Sequence, residues 1–177
     1  AGLAILGRTL FDFTLFKLAM LEGIAVLACF GGAQWLKRAR PGLIWTPLSL
    51  ELLGGLLLIG LTFTLGMIYS TGSGNWPALL LIDLILLLGS SYALRNPLLL
   101  VLSAVLFFCW FGGFTGYESG WGAYWFGMSY PLRFLAAAAT IIAVAVIHRE
   151  SESGPLAPYR GFFKVWLSGG LFFAEMA

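Results

Sequence analysis

The feature that most constrains this chain is the repetition of apolar runs of bilayer length. A helix crossing the hydrocarbon layer needs about 20 predominantly apolar residues. Runs of that kind cover 15–36, 47–69, 78–94, 98–114 and 131–147, with a further apolar run over 161–177. Only 10% of the 177 residues are charged and 60% are apolar, with a mean hydropathy of +0.93. A soluble domain normally carries about a quarter charged residues, so that class is excluded. The expectation is a single all-α, polytopic transmembrane bundle of about six spans. Residues 1–10 read as a helix-end fragment, finishing near Phe11-Asp12-Phe13-Thr14, and the last run reads as a span cut short. Both are expected to belong to longer segments.

The breaks between runs carry the topology. Lys37-Arg38-Ala39-Arg40-Pro41-Gly42 stops the first span, because Pro cannot continue a helix and the charges cannot enter lipid. Pro47 suits a first helical turn. Ser70 to Pro77 is an uncharged, turn-rich loop, and Arg95-Asn96-Pro97 separates the third and fourth spans. The fifth run ends in His148-Arg149-Glu150, followed by a polar linker with Pro155, Pro158 and Arg160. Cationic loops thus alternate with uncharged ones. By the positive-inside rule, the loops at 70–77 and 115–130 are expected outside a bacterial inner membrane.

The outer stretch from Thr115 to Phe134 holds Tyr117, Trp121, Tyr124, Trp125, Phe126 and Tyr130 among four glycines. Amphipathic rings at this density belong at a membrane interface, with one side dry and the polar atom wet. An anchoring belt explains them most simply, while Trp and Tyr beside glycine also suit a binding hot spot. Tyr117, Trp121, Tyr124, Trp125 and Tyr130 are therefore candidate contacts for a ligand or partner, with Arg133 as the cation and Trp76 contributed by the neighbouring loop.

Lys17, Glu22, Glu51, Asp83 and Arg133 fall within the spans, where an ionised group costs a few kcal/mol or more unless paired or hydrated. Counting helical rise puts Lys17, Asp83 and Arg133 at compatible depths, so an outer cluster with Asp83 between two cations is one expectation. Glu51 lies within reach of the Lys37 to Arg40 run, and Glu22 is deepest without an evident partner. Structural pairing explains these residues most simply; a proton or ion path is the sharper reading. Small residues at Gly54, Gly55, Gly60 and Gly66, and from Ala136 to Ala143, predict close helix packing.

Several chemistries lack their residues. The net charge of +2 is small and the cations form no continuous face, so nucleic acid is not an expected partner. Cys29 and Cys109 sit in apolar runs and read as small hydrophobes. His148 is the single histidine, which speaks against haem or a metal as cofactor. Gly72-Ser73-Gly74 is better explained by turn chemistry than as a nucleophile, and Asp83 has no second carboxylate at its depth. No phosphate-cradling glycine loop is present.

Phe16-Lys17-Leu18-Ala19, Glu51-Leu52-Leu53-Gly54, Leu65-Gly66-Met67-Ile68-Tyr69 and Ser73-Gly74-Asn75-Trp76-Pro77-Ala78 together resemble the bacterial multi-pass membrane proteins grouped as "domain of unknown function 2157". In that family a Gly-Gln-Ile-Tyr-like helix end is followed by a loop closing on Ser-Gly-Asp-Trp-Pro; here Met67 and Asn75 replace the Gln and Asp. The resemblance covers roughly residues 15–102 and implies a multi-pass fold with further spans and an N-terminal cytoplasmic segment. It implies no activity. The leading expectation is a non-catalytic subunit or scaffold that binds membrane lipid, a protein partner or a second copy through the aromatic loop. A transporter using the intramembrane charges comes next, and a membrane enzyme acting on a lipid-linked substrate last.

Overall fold

The computed structural model describes residues 2–69, 76–120, 122, 124–151 and 155–177, with side chains from residue 14 onward. Six α-helices account for nearly all of it. They are α1 (Gly2–Ala39), α2 (Trp45–Tyr69), α3 (Trp76–Leu94), α4 (Pro97–Glu118), α5 (Tyr130–Glu150) and α6 (Phe163–Glu175). A short 3-10 helix, Ala157–Phe162, precedes α6, and a two-stranded hairpin, β1 (Tyr124–Trp125) with β2 (Met128–Ser129), joins α4 to α5. Five helices are long and apolar enough to cross a bilayer: α2 to α5, and α1 over Thr14–Ala39. The chain is an integral membrane protein of the all-α class. At 13 residues α6 rises only about 20 Å, short of a hydrocarbon layer of about 30 Å.

Three boundaries differ from the sequence reading. Of the stretch expected as a separate helix end over 1–10, residues 2–10 instead belong to α1, which is continuous from Gly2 to Ala39. A break is expected near Phe11-Asp12-Phe13-Thr14, but a helical backbone satisfies its own hydrogen bonds whatever the side chains carry. The fourth span continues past Phe114 to Glu118, where Ser119 and left-handed Gly120 close it. Thr115 is still helical, and its hydroxyl donates to the Phe111 carbonyl at 2.7 Å. Trp76 and Pro77, expected in a loop, open α3; loop residues 70–75 lie outside the described residues.

The chain forms two compact units, Ala1–Leu79 and Leu80–Ala177. In the first, α1 and α2 are an antiparallel pair. Gly32 lies by Leu50, Gly54 against Cys29 and Phe30, and Gly60 by Glu22, so the register falls along one helix as it rises along the other. Pro41-Gly42 makes the turn, and Lys37 and Arg38 complement the carbonyl end of α1. In the second, Phe134, Ala137, Ala138 and Ile141 of α5 pack on Phe173 of α6, with Phe107, Phe108 and Phe111 of α4 around them. A Cβ on Gly170 would stand 2.5 Å from Ile142 Cγ1 and 3.2 Å from its backbone nitrogen, so glycine is what lets α6 lie against α5.

The α3–α4 junction is a Schellman motif followed at once by a capped helix. The Asn96 N–H bonds to the Ser91 carbonyl and the Arg95 N–H to the Tyr92 carbonyl, with Arg95 at φ +53 where glycine is usual. The Asn96 side chain accepts from the Leu98 and Leu99 amides at 2.8 and 3.4 Å, and Pro97 starts α4.

Candidate functional site

The aromatic stretch resolves into a helix end, a hairpin and a helix start. Tyr124 pairs with Ser129 and Trp125 with Met128, leaving Phe126 and Gly127 as the two-residue turn. Both have positive φ, +48 and +74, the signature of a type I′ turn that favours Asn and Gly. Trp125 holds the hairpin down, its ring 6.3 Å from Phe111 and 6.4 Å from Phe114. Phe126 is 86% exposed and Tyr124 68%. A shallow pocket of about 360 Å³ lies between the end of α4 and the hairpin, lined by Phe114, Glu118, Ser119, Tyr124, Trp125 and Phe126.

The residues predicted from sequence divide here. Tyr124 and Tyr130 are exposed beside the hairpin, Tyr117 is exposed on the last turn of α4, and Trp125 is a half-buried anchor. Trp121 lies outside the described residues. Trp76 is exposed in the first turn of α3 and belongs to the other unit. Phe126, the most exposed ring in the stretch, was not singled out; a bulky residue one position before glycine in a short aromatic run is the signal that marks it.

Arg133 is not presented to an external ligand but is 0% exposed. Its guanidinium carbon stands 3.6 Å from the Tyr130 ring centroid, a cation–π contact, and Nη1 donates to the Thr115 carbonyl at 3.2 Å. That carbonyl belongs to the C-terminal turn of α4, the negative end of the helix dipole. Nε and Nη2 make no hydrogen bond among the described residues.

The other intramembrane charges distribute differently. Glu51 is fully buried and accepts from Gln34 Nε2 at 2.7 Å while its Oε1 meets Lys37 Nζ at 2.6 Å. Glu22 lies over Gly60, its Oε1 3.4 Å from where a Cβ would be, and its Oε2 makes no hydrogen bond among the described residues. Lys17 is exposed on α1 and Asp83 fully buried on α3. They fall in separate units, and Arg133 turns to Thr115 and Tyr130.

A polar network that sequence reasoning missed joins α3, α5 and α6. His148, 4% exposed, has Nδ1 2.8 Å from the Val144 carbonyl and Nε2 2.8 Å from the Tyr92 hydroxyl. A carbonyl only accepts, so in the neutral ring Nδ1 carries the proton and Nε2 accepts from Tyr92. Trp166 Nε1 donates to the same hydroxyl at 2.9 Å. Tyr159 and Phe162 pack on Tyr92 at 5.1 and 5.2 Å, and Arg95 stands 6.0 Å over Tyr159. Every polar side-chain atom of the trio makes a hydrogen bond, and the arrangement ties α3, α5 and α6 together. Among the described residues no three His, Cys, Asp or Glu side chains converge as metal ligands. No family model matches the chain, nor does any curated protein or solved structure.

Proposed function

We propose that this protein is a non-catalytic membrane subunit or scaffold that engages its partner through the 124–129 hairpin, on the outer side of a bacterial inner membrane. Phe126 carries the reading. A phenylalanine held at φ +48 costs about 1 kcal/mol relative to glycine, and here the ring gains little burial in return. Strain of that kind concentrates where a side chain is kept for contact. Tyr124 beside it and the 360 Å³ pocket beneath extend the contact surface. The orientation rests on the alternation of cationic and uncharged loops.

Native mass spectrometry of the gently extracted protein tests this. Recovery in fixed ratio with a larger complex, lost on Phe126→Asn without loss of fold, supports it. Unchanged assembly in that variant overturns the hairpin's role. A second reading, a transporter for a small solute or ion, draws on Glu22 Oε2 and on Arg133 Nε and Nη2, polar atoms that a hydrated path would serve. On the scaffold reading Asp83→Asn costs only stability; loss of a flux in reconstituted vesicles, with the fold intact, favours transport. A membrane enzyme has the least support, since the Tyr92–His148–Trp166 network is closed on itself.

A further inference from the structure

Between α4 and α6 runs an open apolar groove of about 490 Å³, within the range of about 300–1,000 Å³ typical of ligand sites. Val101, Ala104 and Val105 form one wall, Val165 and Phe172 the other, and Lys164 stands at one end. Contacts fix the register. Ala104 Cβ lies 3.8 Å from where a Cβ on Gly169 would be, and Phe108 meets the Phe172 and Phe173 rings at 5.1 Å each. The two helices therefore run in the same direction, which brings Lys164, in the first turn of α6, level with the start of α4.

Helical rise makes the groove about 10 Å long from Val101 to Phe108, roughly a third of the hydrocarbon thickness. That is too short for a spanning helix and suits part of one acyl chain within one leaflet. The two adjacent glycines of α6 do different work here. Gly170 seats the helix against α5, while Gly169 lines the groove, where a Cβ would meet Ala104 Cβ at 3.8 Å and Ile141 Cγ2 at 4.0 Å.

Charge selects the occupant's head. Lys164 is exposed and has no acidic partner among the described residues. Arg95, Arg149 and Arg160 sit at the neighbouring helix ends of the same unit, with Arg160 Nε donating to the Arg149 carbonyl at 3.1 Å. We propose that the groove binds one acyl chain of a membrane phospholipid with an anionic headgroup, the headgroup held at Lys164. This site is separate from the hairpin and does not depend on it.

The test is lipid titration of the detergent-purified protein with phosphatidylglycerol or phosphatidylcholine of identical chains, read by native mass spectrometry. One phosphatidylglycerol should be retained per chain, about fivefold more tightly than phosphatidylcholine. Lys164→Gln should bring the two lipids level. Gly169→Leu, whose side chain enters the groove, should weaken both by roughly tenfold. Ala104→Leu fills the groove from the opposite wall and replaces Gly169→Leu if that variant does not fold. Phe126→Asn should leave lipid retention unchanged, which separates this proposal from the hairpin reading. Equal retention of both lipids by the unsubstituted protein overturns the proposal, as does undiminished binding in the groove-filled variant. So does disulfide cross-linking of two copies through Val105→Cys in vesicles, which would show the groove covered by a second chain.

Discussion

Each unit closes its cation-rich end with a polar cluster, and the two clusters use different chemistry. In the α1–α2 pair the centre is a charge: Glu51, fully buried, held by Lys37 and Gln34. In the 80–177 unit it is a set of hydrogen bonds among Tyr92, His148 and Trp166, which share one hydroxyl. A buried charge is expensive to desolvate and depends on its counter-ion, so the first cluster is brittle. The hydrogen-bonded trio loses one bond at a time and degrades in steps. The glycines divide similarly. A Cβ on Gly54 in the first unit would stand 3.0 Å from the movable Phe30 ring and 3.1 Å from Cys29 Cβ, whereas one on Gly170 would stand 2.5 Å from Ile142 Cγ1 and 3.2–3.3 Å from the Ile142 nitrogen and the Ala138 carbonyl.

The largest effect should come from Lys37→Ala. Its side chain is 29% exposed while Glu51 has none, so removing the lysine takes the counter-ion from a buried carboxylate that keeps its bond from Gln34. Breaking a buried pair this way costs about 3 kcal/mol or more. Glu51→Gln should cost less, because Lys37 can turn outward. The double variant Lys37→Met, Glu51→Leu should recover most of the stability. Unfolding in mixed detergent–SDS micelles measures all three; equal losses for the two single variants would contradict the asymmetry. Next, Gly170→Ala should destabilise by about 2 kcal/mol, while Gly54→Ala should cost less, because the Phe30 ring can move although Cys29 Cβ cannot, and a helix-propensity gain of about 1 kcal/mol offsets part of the clash.

Tyr92→Phe comes third, at about 2 kcal/mol, since it orphans both His148 Nε2 and the Trp166 N–H. Trp166→Phe should cost about half as much in hydrogen bonding, because Tyr92 keeps its bond to His148. If Tyr92→Phe were silent, the trio would not be a lock, and its histidine would return as a candidate for chemistry.

What the sequence made legible follows from what leaves a local trace. Apolar length marked the five spans, and Arg95-Asn96-Pro97 marked a boundary because a cap and a proline act on their own neighbours. The Lys37–Glu51 contact was within reach because both residues lie near the same turn. The trio left no such trace, since Tyr92 is 56 residues from His148 and 74 from Trp166. A lone histidine is read for metal partners, and its actual partners are a phenol and an indole. The aromatic stretch was legible as an interface and not as a shape, because Tyr, Trp and Gly fit a helix end, a hairpin or a loop equally well until tertiary packing chooses. Trp125 turns inward and Phe126 outward on that choice alone.

The smallest effect sharpens the comparison within the second unit, where two bulky residues occupy left-handed backbone. Arg95 at φ +53 and Phe126 at φ +48 each stand where glycine would be less strained by about 1 kcal/mol. Arg95 is partly compensated: its guanidinium lies 6.0 Å over Tyr159, worth about 0.5 kcal/mol at an exposed site. Among the described residues Phe126 packs its ring on Trp125, at 4.8 Å, and 86% of the residue is exposed. Arg95→Gly should therefore raise stability by about 0.5 kcal/mol at most. Phe126→Gly should raise it by somewhat more, up to about 1 kcal/mol. If Phe126→Gly instead lowers stability, the ring is an internal strut and the hairpin loses its claim as a docking surface. If stability rises while assembly in the membrane is lost, the strain at Phe126 is retained for contact with a partner.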